Sequence, residues 1–364
     1  MRYLLCLLMI TGRGIDSFSQ PPGNEDPFSI RLIDSVECTP VKDQGQSPTC
    51  WVFGTNSVIE SDVIKMSNTR LNLSEMFIAR YAYIDKAAQF LATEGYTYFA
   101  GGGQFHDVLR VAARYGMVPE EVYPGLPNET YRHDHARLDS SMQQFVRELL
   151  ESGKSKLSEN DLQQLNDTLD KYLGPVPASF RWQGKEYTPL SFAKEVIRFG
   201  DDYLELVSFA DKPLYRKFVL ADKYNWALDS FWNISLSDMQ MILDSALHRG
   251  WSVGWEGDVT ETEFNYFSGF AALKNTVTGN ADEQRLENYR TGITERDHML
   301  QVTAVGYDGS GKKWYRLKNS WGTWLNRYQG YLYMEENYFL LKTVILLINR
   351  NGLPLNLKEK LGLN

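Results

Sequence analysis

Cysteine is scarce in this sequence, with three among 364 residues. Cys6 lies in the apolar leader at the start of the chain, which leaves Cys38 and Cys50 for the folded part. Two cysteines are too few for the disulfide framework that small secreted domains use. Either these two residues pair with each other, or at least one of them is kept free for chemistry.

Blocks of like charge and long apolar runs are also missing. The chain carries 38 basic and 46 acidic residues, a net charge of -8, and no run of five or six like charges that would serve as a nucleic-acid or membrane arm. This balance argues against a phosphate backbone as a partner, so we expect no nucleic acid. Past the leader, no stretch approaches the roughly 20 apolar residues needed to cross a bilayer, and we expect no stable membrane insertion.

Metal-binding patterns are likewise lacking. His133 and His135 flank Asp134 in a charged, loop-like stretch, but no further cluster of ligands accompanies them. We therefore expect neither a metal nor an organic cofactor.

The start of the chain has the layout of a secretory signal. Arg2 precedes an apolar run from Tyr3 to Ile10, and the small residues Ser17 and Ser19 stand just before Gln20. The pattern predicts a signal peptide over 1–19, export to the periplasm or the medium, and one folded domain over 20–364. The alternative is a cytoplasmic protein whose leader is not a signal.

Apolar periodicity predicts two lobes and an α+β fold. Helices are predicted in the first third, from Cys50 to Ser67, from Asn72 to about Lys86 and from Phe105 to Arg114. Residues 124–236 show further well-capped helices and are predicted to form an inserted helical layer. From Trp251 onward, short β-branched and aromatic runs predict a β-rich, barrel-like second lobe.

Two residues that are far apart in the sequence can act as the nucleophile and the general acid/base of a thiol-dependent acyl transfer. Cys50 begins the first predicted helix, where partial positive charge and free amide groups stabilise a thiolate. His298, 248 residues later, would hold that thiolate as an imidazolium ion pair and return its proton to the leaving amine. Because the cysteine lies on one predicted lobe and the histidine on the other, we expect a cleft between the lobes.

Three further residues complete the set. The side-chain amide oxygen of Asn319 is placed to fix the tautomer and ring orientation of His298. Trp321 would cover that hydrogen bond and keep water from competing for it. The side-chain amide of Gln44, six residues before Cys50, would meet the tetrahedral oxyanion together with the backbone N–H of Cys50.

Each of these residues alone has an ordinary interpretation. A cysteine at a helix start is more often a small buried apolar residue than a nucleophile. A histidine in a strand, an asparagine or glutamine in a turn, and a tryptophan in a core are all common. The joint order of Gln, Cys-Trp, Asp-His and Asn-Ser-Trp-Gly is what favours catalysis.

This order resembles the papain-like cysteine peptidases, whose nucleophile segment carries Gln and then Cys-Trp and whose later segments carry His and Asn-Ser-Trp-Gly. The resemblance extends over both lobes. It implies a nucleophile at Cys50, a general acid/base at His298, an orienting residue at Asn319 and an oxyanion donor at Gln44. It also implies substrate-binding roles for five further positions, namely Trp51, Gly102, Gly103, Asp297 and Trp321.

Departures from the common papain pattern indicate one branch. Ser47 stands where secreted members carry a disulfide cysteine, Pro48 replaces the usual glycine, and the histidine follows the cysteine by 248 residues rather than by about 130–150. Together with the run over 252–259, these features resemble the bleomycin hydrolase and aminopeptidase C branch. That branch implies aminopeptidase action, often a homo-oligomer in the form of a hexameric cage, and a C-terminal tail in the cleft. Whether the tail of this chain, residues 353–364, enters the cleft stays open.

The sequence therefore predicts a thiol-dependent peptidase with aminopeptidase action on peptide substrates. Endopeptidase, acyltransferase or amidase action would use the same Cys-His-Asn set, because an amine resolves an acyl-enzyme as readily as water does. A non-catalytic peptide-binding module is a third alternative. The presence of all four catalytic groups argues against it.

Overall fold

The computed structural model of the chain describes residues 28–127, 131–274 and 279–363. The predicted signal peptide over 1–19 lies outside the described residues. Within them, helices dominate the first half of the chain and strands the second half. The fold is therefore of the α+β class.

The helical lobe is built around one helix that is buried along most of its length. A short strand, β1 (Arg31–Ser35), precedes it. The buried helix, α1, spans Cys50–Ser67, the bounds that the sequence predicts. α2 (Glu75–Ala92) follows, with the hydroxyl of Ser74 capping its first turn, and α3 (Phe105–Tyr115) comes next.

The middle of the chain, over 124–236, contains more strand than the sequence pattern predicts. Its helices are α4 (Ala136–Glu151), α5 (Glu159–Leu173) and α6 (Pro189–Phe192), the last continued by a π-helical turn, Ala193–Ile197. Its strands are β2 (Phe180–Trp182), β3 (Lys185–Tyr187), β4 (Tyr203–Val207), β5 (Arg216–Val219) and β6 (Ser230–Asn233). The expectation of a purely helical layer is therefore incomplete, because β4, β5 and β6 join the main sheet.

The remaining elements build the sheet-rich lobe. Its helices are α7 (Leu236–His248), α8 (Ala281–Arg290), α9 (Glu336–Lys342) and α10 (Leu355–Lys360), with a 3-10 turn at Arg350–Gly352. Its strands are β7 (Val253–Gly257), β8 (Phe264–Asn265), β9 (Phe270–Ala271), β10 (His298–Tyr307), β11 (Lys313–Lys318), β12 (Tyr331–Glu335) and β13 (Thr343–Asn349). Among the described residues, the sheet runs β5-β6-β4-β13-β7-β10-β11-β12-β9-β8, and β1 pairs with β10. The central strands are buried on both faces, which fits their nearly continuous apolar composition.

The two lobes meet where α1 crosses β10. Gly54 allows a close approach, since a Cβ built on it would lie 3.2 Å from the Cβ of Met299. Met299 directly follows His298, and Gly54 lies one turn after Cys50. The packing of the lobes therefore sets the position of the cysteine relative to the histidine.

The C-terminal segment packs against the sheet-rich lobe. Leu353, Leu357 and Leu361 are buried in the apolar core that also contains α7, and Leu363 packs against the same core. The backbone N–H of Leu363 donates to the carbonyl of Lys358. The described part of this segment is thus folded onto the protein.

Candidate active site

Cys50 is the first residue of α1, so its backbone N–H has no partner within the helix. Thr49 occupies the N-cap position, but its side chain makes no capping hydrogen bond; its hydroxyl instead contacts that of Ser47. Cys38 and Cys50 are both free thiols, and Sγ of Cys38 lies 3.2 Å from the hydroxyl of Tyr331. The two cysteines therefore do not pair, and the thiol of Cys50 is available for chemistry.

His298 is the first residue of β10, and its ring is fixed by two neighbours. Its Nε2 lies 2.7 Å from Oδ1 of Asn319, which also accepts from the backbone N–H of Ser320. Because a carbonyl oxygen only accepts, Nε2 carries the hydrogen of this bond and Nδ1 is left as the basic nitrogen of a neutral ring. The ring of Trp321 covers the imidazole, with 4.5 Å between the centroids.

Gln44 is held by contacts at both ends of its side-chain amide. Its Nε2 donates to the carbonyl of Ser47 at 2.9 Å, and its Oε1 accepts from the hydroxyl of Ser320 at 2.7 Å. The second hydrogen of Nε2 is not used by these bonds. Ser320 thereby connects Gln44 to Asn319, and its role was not expected from the sequence.

One cleft between the lobes brings the predicted residues together. It is lined by Gln44, Pro48, Cys50, Trp51, Gly102, Gly103, Tyr224, Glu256, Arg296, Asp297, His298, Met299 and Trp321. Asn319 does not line it and lies behind His298. Three lining residues that the sequence pattern did not single out, Tyr224, Glu256 and Arg296, are polar and are described below.

The glycine segment forms part of one wall. Nζ of Lys86 donates to the carbonyls of Ala100 and Gly102, and Nε1 of Trp51 donates to that of Gly101. A Cβ on Gly103 would lie 2.8 Å from the ring of Trp51, so only glycine fits against the indole. The wall is thus held by a buried ammonium and by the tryptophan next to Cys50.

Burial dominates the electrostatics of the cysteine and the histidine. It raises the pKa of Cys50 to about 12, and the carboxylates of Glu256 and Asp297 add to the shift. It lowers the pKa of His298 to about 4, against the hydrogen bond to Asn319. Both shifts favour the uncharged pair, which differs from the ion pair expected from the sequence. Proton transfer from sulfur to nitrogen creates both charges at once, and their attraction in a cleft of low dielectric opposes the two shifts.

A buried ion pair lies on the floor of the cleft. Arg296 has Nε 3.3 Å from Oε1 of Glu256 and a second nitrogen 3.0 Å from Oδ1 of Asp222. The other oxygen of Glu256, Oε2, is buried and has no hydrogen-bond partner among the residues that the structure describes. Burial raises the pKa of Glu256 to about 7, although Arg296 opposes the shift. A charged residue within the apolar strand β7 was the available sequence signal for this group.

A loop from the middle segment contributes Tyr224 to the lining of the cleft. Residues 220–229, here the Tyr224 loop, are held by Nε1 of Trp226, which donates to Oδ2 of Asp107 at 3.0 Å, and by the pair between Asp222 and Arg296. Cε1 of Tyr224 would lie 3.2 Å from a Cβ on Gly102. The ring of Tyr224 therefore covers the glycine segment. No sequence pattern predicts this contact.

No helix in the described ranges is both long and apolar enough to cross a membrane. Across the same ranges, no group of three or more His, Cys, Asp or Glu side chains is arranged to hold a metal ion.

A cysteine at a helix start and a histidine oriented by an asparagine, facing each other across two lobes, define a papain-like thiol peptidase. The family model described as "Peptidase C1-like family" matches residues 96–363, and the chain belongs to this family. The predicted papain-like fold and the predicted branch are confirmed, and the protein is a cysteine peptidase.

Curated relatives and a solved structure agree with this assignment. The chain is 23% identical to "Aminopeptidase W" of Lactobacillus delbrueckii subsp. lactis, over 92% of this chain and 85% of that protein. It is 22% identical to "Cysteine proteinase 1, mitochondrial" of Saccharomyces cerevisiae, over 92% of this chain and 80% of that protein. The crystal structure of PepW from Lactobacillus rhamnosis covers 91% of this chain and 84% of its own, with 19% identity and a TM-score of 0.71.

Proposed function

We propose that the protein is an aminopeptidase that hydrolyses the peptide bond next to a free amine through a thioacyl-enzyme on Cys50. The observation that carries the proposal is the 2.7 Å contact between Nε2 of His298 and Oδ1 of Asn319, in a cleft that Cys50 lines. The contact leaves Nδ1 as the basic nitrogen, which a general base requires. The aminopeptidases among the relatives support this choice of activity.

Acylation moves one proton twice. As Sγ of Cys50 attacks the carbonyl carbon of the scissile bond, its proton passes to Nδ1 of His298. The oxyanion accepts hydrogen bonds from the backbone N–H of Cys50 and from Nε2 of Gln44, each donor contributing roughly 3 kcal/mol. When the C–N bond breaks, His298 gives the proton to the leaving amine and returns to neutral imidazole.

Deacylation uses the same groups in reverse. A water molecule gives a proton to Nδ1 of His298 while its oxygen attacks the thioester carbon. Collapse of the tetrahedral intermediate breaks the C–S bond, and the proton on His298 returns to Sγ of Cys50. The products are a carboxylic acid and the free enzyme.

Substrate binding is assigned to the walls of the cleft. The backbone of Gly102 and Gly103 would pair with the extended substrate as a short strand, next to the indole of Trp51. Trp321 would shield the bond between His298 and Asn319 from water. Asp297 is half-buried next to His298 in the sequence, and its Oδ1 accepts from the backbone N–H of Val259.

The Tyr224 loop favours aminopeptidase over endopeptidase action. Its tyrosine lies against Gly102 in the lining of the cleft. In this proposal the ring limits the length available to residues on the amino side of the scissile bond. An acyltransferase or amidase would use the same catalytic groups and would differ only in the acceptor or the leaving group. A non-catalytic peptide-binding module would have no use for the oriented His298.

Three further proposals concern the chain as a whole. Residues 1–19 would be removed as a signal peptide and the domain over 20–364 exported, as the sequence pattern predicts. Residues 124–236 would be an insertion into the two-lobed fold, and the chain would assemble as a homo-oligomer, as the resemblance to the branch implies. Sequencing of the mature N-terminus tests the removal of the signal peptide, and light scattering of the purified protein tests the homo-oligomer.

The activity is tested with two fluorogenic substrates, one with a free N-terminal amine and one acetylated, in the presence of reductant. Cys50→Ala is compared with Cys38→Ala, which removes the other free thiol of the described residues. We expect cleavage of the free-amine substrate to be lost in Cys50→Ala and retained in Cys38→Ala. Labelling by the thiol inhibitor E-64 should follow the same pattern.

Different results of this assay would indicate the alternative functions. Equal cleavage of both substrates would indicate an endopeptidase, and transfer of the acyl group to an added amine would indicate an acyltransferase. Absence of both cleavage and labelling at Cys50 would refute the peptidase mechanism.

A further inference from the structure

The floor of the cleft carries an acidic group next to the reacting histidine. Glu256 on β7 lies opposite Met299 on β10, and Gly257 lies opposite His298. Glu256 and His298 both line the cleft, so the carboxylate and the imidazole face the same space. Glu256 is 2% exposed, and its Oε2 has no partner among the described residues.

Arg296 does not neutralise this region. Its guanidinium, with 1% of the side chain exposed, is shared between Glu256 and Asp222. Asp297 adds a further carboxylate whose Oδ2 is also buried without a partner within the described ranges. One positive charge is therefore set against three carboxylates, and a cation entering the cleft is favoured.

Charges behind the floor are paired with each other. Oε2 of Glu205 on β4 accepts a hydrogen bond from Nδ1 of His106 on α3 at 2.8 Å. Although burial opposes it, Glu205 raises the pKa of His106 to about 9. Glu205 raises the pKa of Glu256 and His106 lowers it, so these two groups act on the floor of the cleft in opposite directions.

The C-terminal segment does not supply a group to the cleft in the described residues. Its leucines pack in the sheet-rich core, and Nζ of Lys360 lies 3.1 Å from the hydroxyl of Tyr215. None of residues 353–363 lines the cleft. Among the described residues, an acceptor for a substrate amine must therefore come from the side chains that line the cleft.

We infer that Oε2 of Glu256 accepts the ammonium group of the peptide substrate and so determines which peptides this peptidase takes. The inference rests on the proposed peptidase function and names its specificity determinant. A buried carboxylate oxygen without a partner is costly to leave unpaired, and an ammonium donates to it with a charge-assisted hydrogen bond. Arg296, held from its other side by Asp222, keeps the carboxylate in place.

The ammonium has two chemical sources, the N-terminal amine and a lysine side chain. The Tyr224 loop favours the N-terminal amine, because its ring lies against Gly102 in the same cleft and occupies space that a longer chain would need. An N-terminal amine bound at Glu256 would stop the substrate at a defined distance from Cys50.

The test compares Glu256→Gln with Glu205→Gln. Both changes neutralise a buried strand carboxylate that is paired with a cationic side chain, but only Glu256 lines the cleft. Substrates are a free-amine peptide, its N-acetylated form, and an N-acetylated peptide with lysine before the scissile bond. We expect Glu256→Gln to raise KM for the free-amine peptide about 10- to 100-fold, with a smaller change in kcat. Glu205→Gln should keep the preference for the free amine.

A binding measurement separates this inference from the peptidase mechanism. Calorimetry on Cys50→Ala, with and without Glu256→Gln, reports binding of the free-amine and acetylated peptides without turnover. Equal binding of the free-amine peptide by both proteins would overturn the inference even when the wild-type enzyme is active. A loss confined to the lysine peptide would support the ammonium site and assign it to the side chain.

A conservative variant covers the case in which Glu256→Gln does not fold. Glu256→Asp keeps the charge beside Arg296 but withdraws the carboxylate by one methylene. We expect an intermediate increase in KM for the free-amine peptide and none for the acetylated one. An unchanged KM for the free-amine peptide would count against the site.

Discussion

The indole of Trp321 lies over the imidazole of His298, with ring planes tilted by 33° and centroids 4.5 Å apart. Trp321 also meets Tyr266 edge to face, with 4.8 Å between the ring centroids. The histidine is thus held by packing as well as by its hydrogen bond to Asn319. Its orientation is set before any substrate arrives, which is the condition for efficient proton transfer.

The orienting bond itself gives the first prediction. Asn319→Ala removes the acceptor of the His298 Nε2 hydrogen and leaves the ring free to adopt the other tautomer. We expect kcat/KM to fall by about one to two orders of magnitude, since general acid–base catalysis as a whole contributes about 10²–10⁴-fold. Steady-state kinetics with a free-amine substrate measure the loss.

Asn319→Asp is the matched control. A carboxylate also accepts from Nε2 and from the backbone N–H of Ser320, so much of the rate should return. If Ala and Asp variants were equally slow, the asparagine would not act by orienting the histidine.

The close approach of α1 to β10 gives the second prediction. In Gly54→Ala the new Cβ would lie 3.2 Å from the Cβ of Met299. Overpacking of about 1–3 kcal/mol outweighs the roughly 1 kcal/mol gained in helix propensity, so we expect a net loss of about 1 kcal/mol in the free energy of unfolding. Because the shift displaces Cys50 from His298, kcat should fall as well.

Gly309→Ala provides the comparison, since a Cβ there meets nothing within 4 Å. Denaturant unfolding and kinetics are measured on both variants. Wild-type kcat in Gly54→Ala would show that the spacing of the lobes does not control the catalytic pair.

The buried ammonium behind the glycine segment gives the third prediction. Lys86→Met deletes the donor to the carbonyls of Ala100 and Gly102 while keeping an apolar stem against Trp51. We expect KM to rise several-fold, because the wall on which the substrate pairs loses its anchor. Lys65→Met is the control: Lys65 also lies over a tryptophan and donates to a carbonyl, but away from the cleft. Equal KM values for the two variants would contradict the anchoring role.

The pH dependence of substrate affinity gives the fourth prediction. Burial raises the pKa of Glu256 to about 7, so the carboxylate is neutral below that pH and charged above it. The amine of a peptide is protonated through most of this range, and KM for a free-amine substrate should rise as the pH falls below about 7, up to about tenfold per pH unit. KM for the acetylated substrate should not follow this profile.

In Glu256→Gln the rise of KM at low pH should disappear for the free-amine substrate. Its persistence in the variant would assign the titration to another group, with Asp297, whose pKa burial raises to about 6, the next candidate.

The sequence predicts those parts of the fold whose signals are local. α1 begins at Cys50 and ends at Ser67 as expected, and the capping box of Ser158 and Asp161 opens α5. The sequence predicts the cap of α2 two positions too early, because Ser74 and not Asn72 caps the helix through its hydroxyl. Polar side chains close together in sequence compete for the same cap, and the choice depends on packing.

The missed strands are short and depend on distant partners. β4 pairs with β13, more than a hundred residues later, and β6 pairs with β4 in parallel. A strand of four or five residues carries little periodic signal of its own, and its partner is not visible in a local window. The local sequence around these strands therefore predicts helix and not strand.

The same reason explains what was missed at the cleft. Cys50, His298 and Asn319 stand in recognisable motifs, but Glu256 and Arg296 meet only because β7 and β10 pair in one register. Tyr224 reaches the cleft through a loop whose attachments lie far away in sequence. Contacts of this kind arise from the tertiary structure, and no sequence motif predicts them.

The Tyr224 loop is attached to both lobes, through Trp226 to Asp107 on the helical side and through Asp222 to Arg296 on the sheet side. It belongs to the middle segment, whereas the nucleophile, the histidine and the asparagine lie outside that segment. The covering of the glycine segment and the bond-breaking chemistry are thus encoded in separate stretches of the chain. Selection acting on these ten residues can reshape the wall of the cleft while Cys50, His298 and Asn319 are preserved.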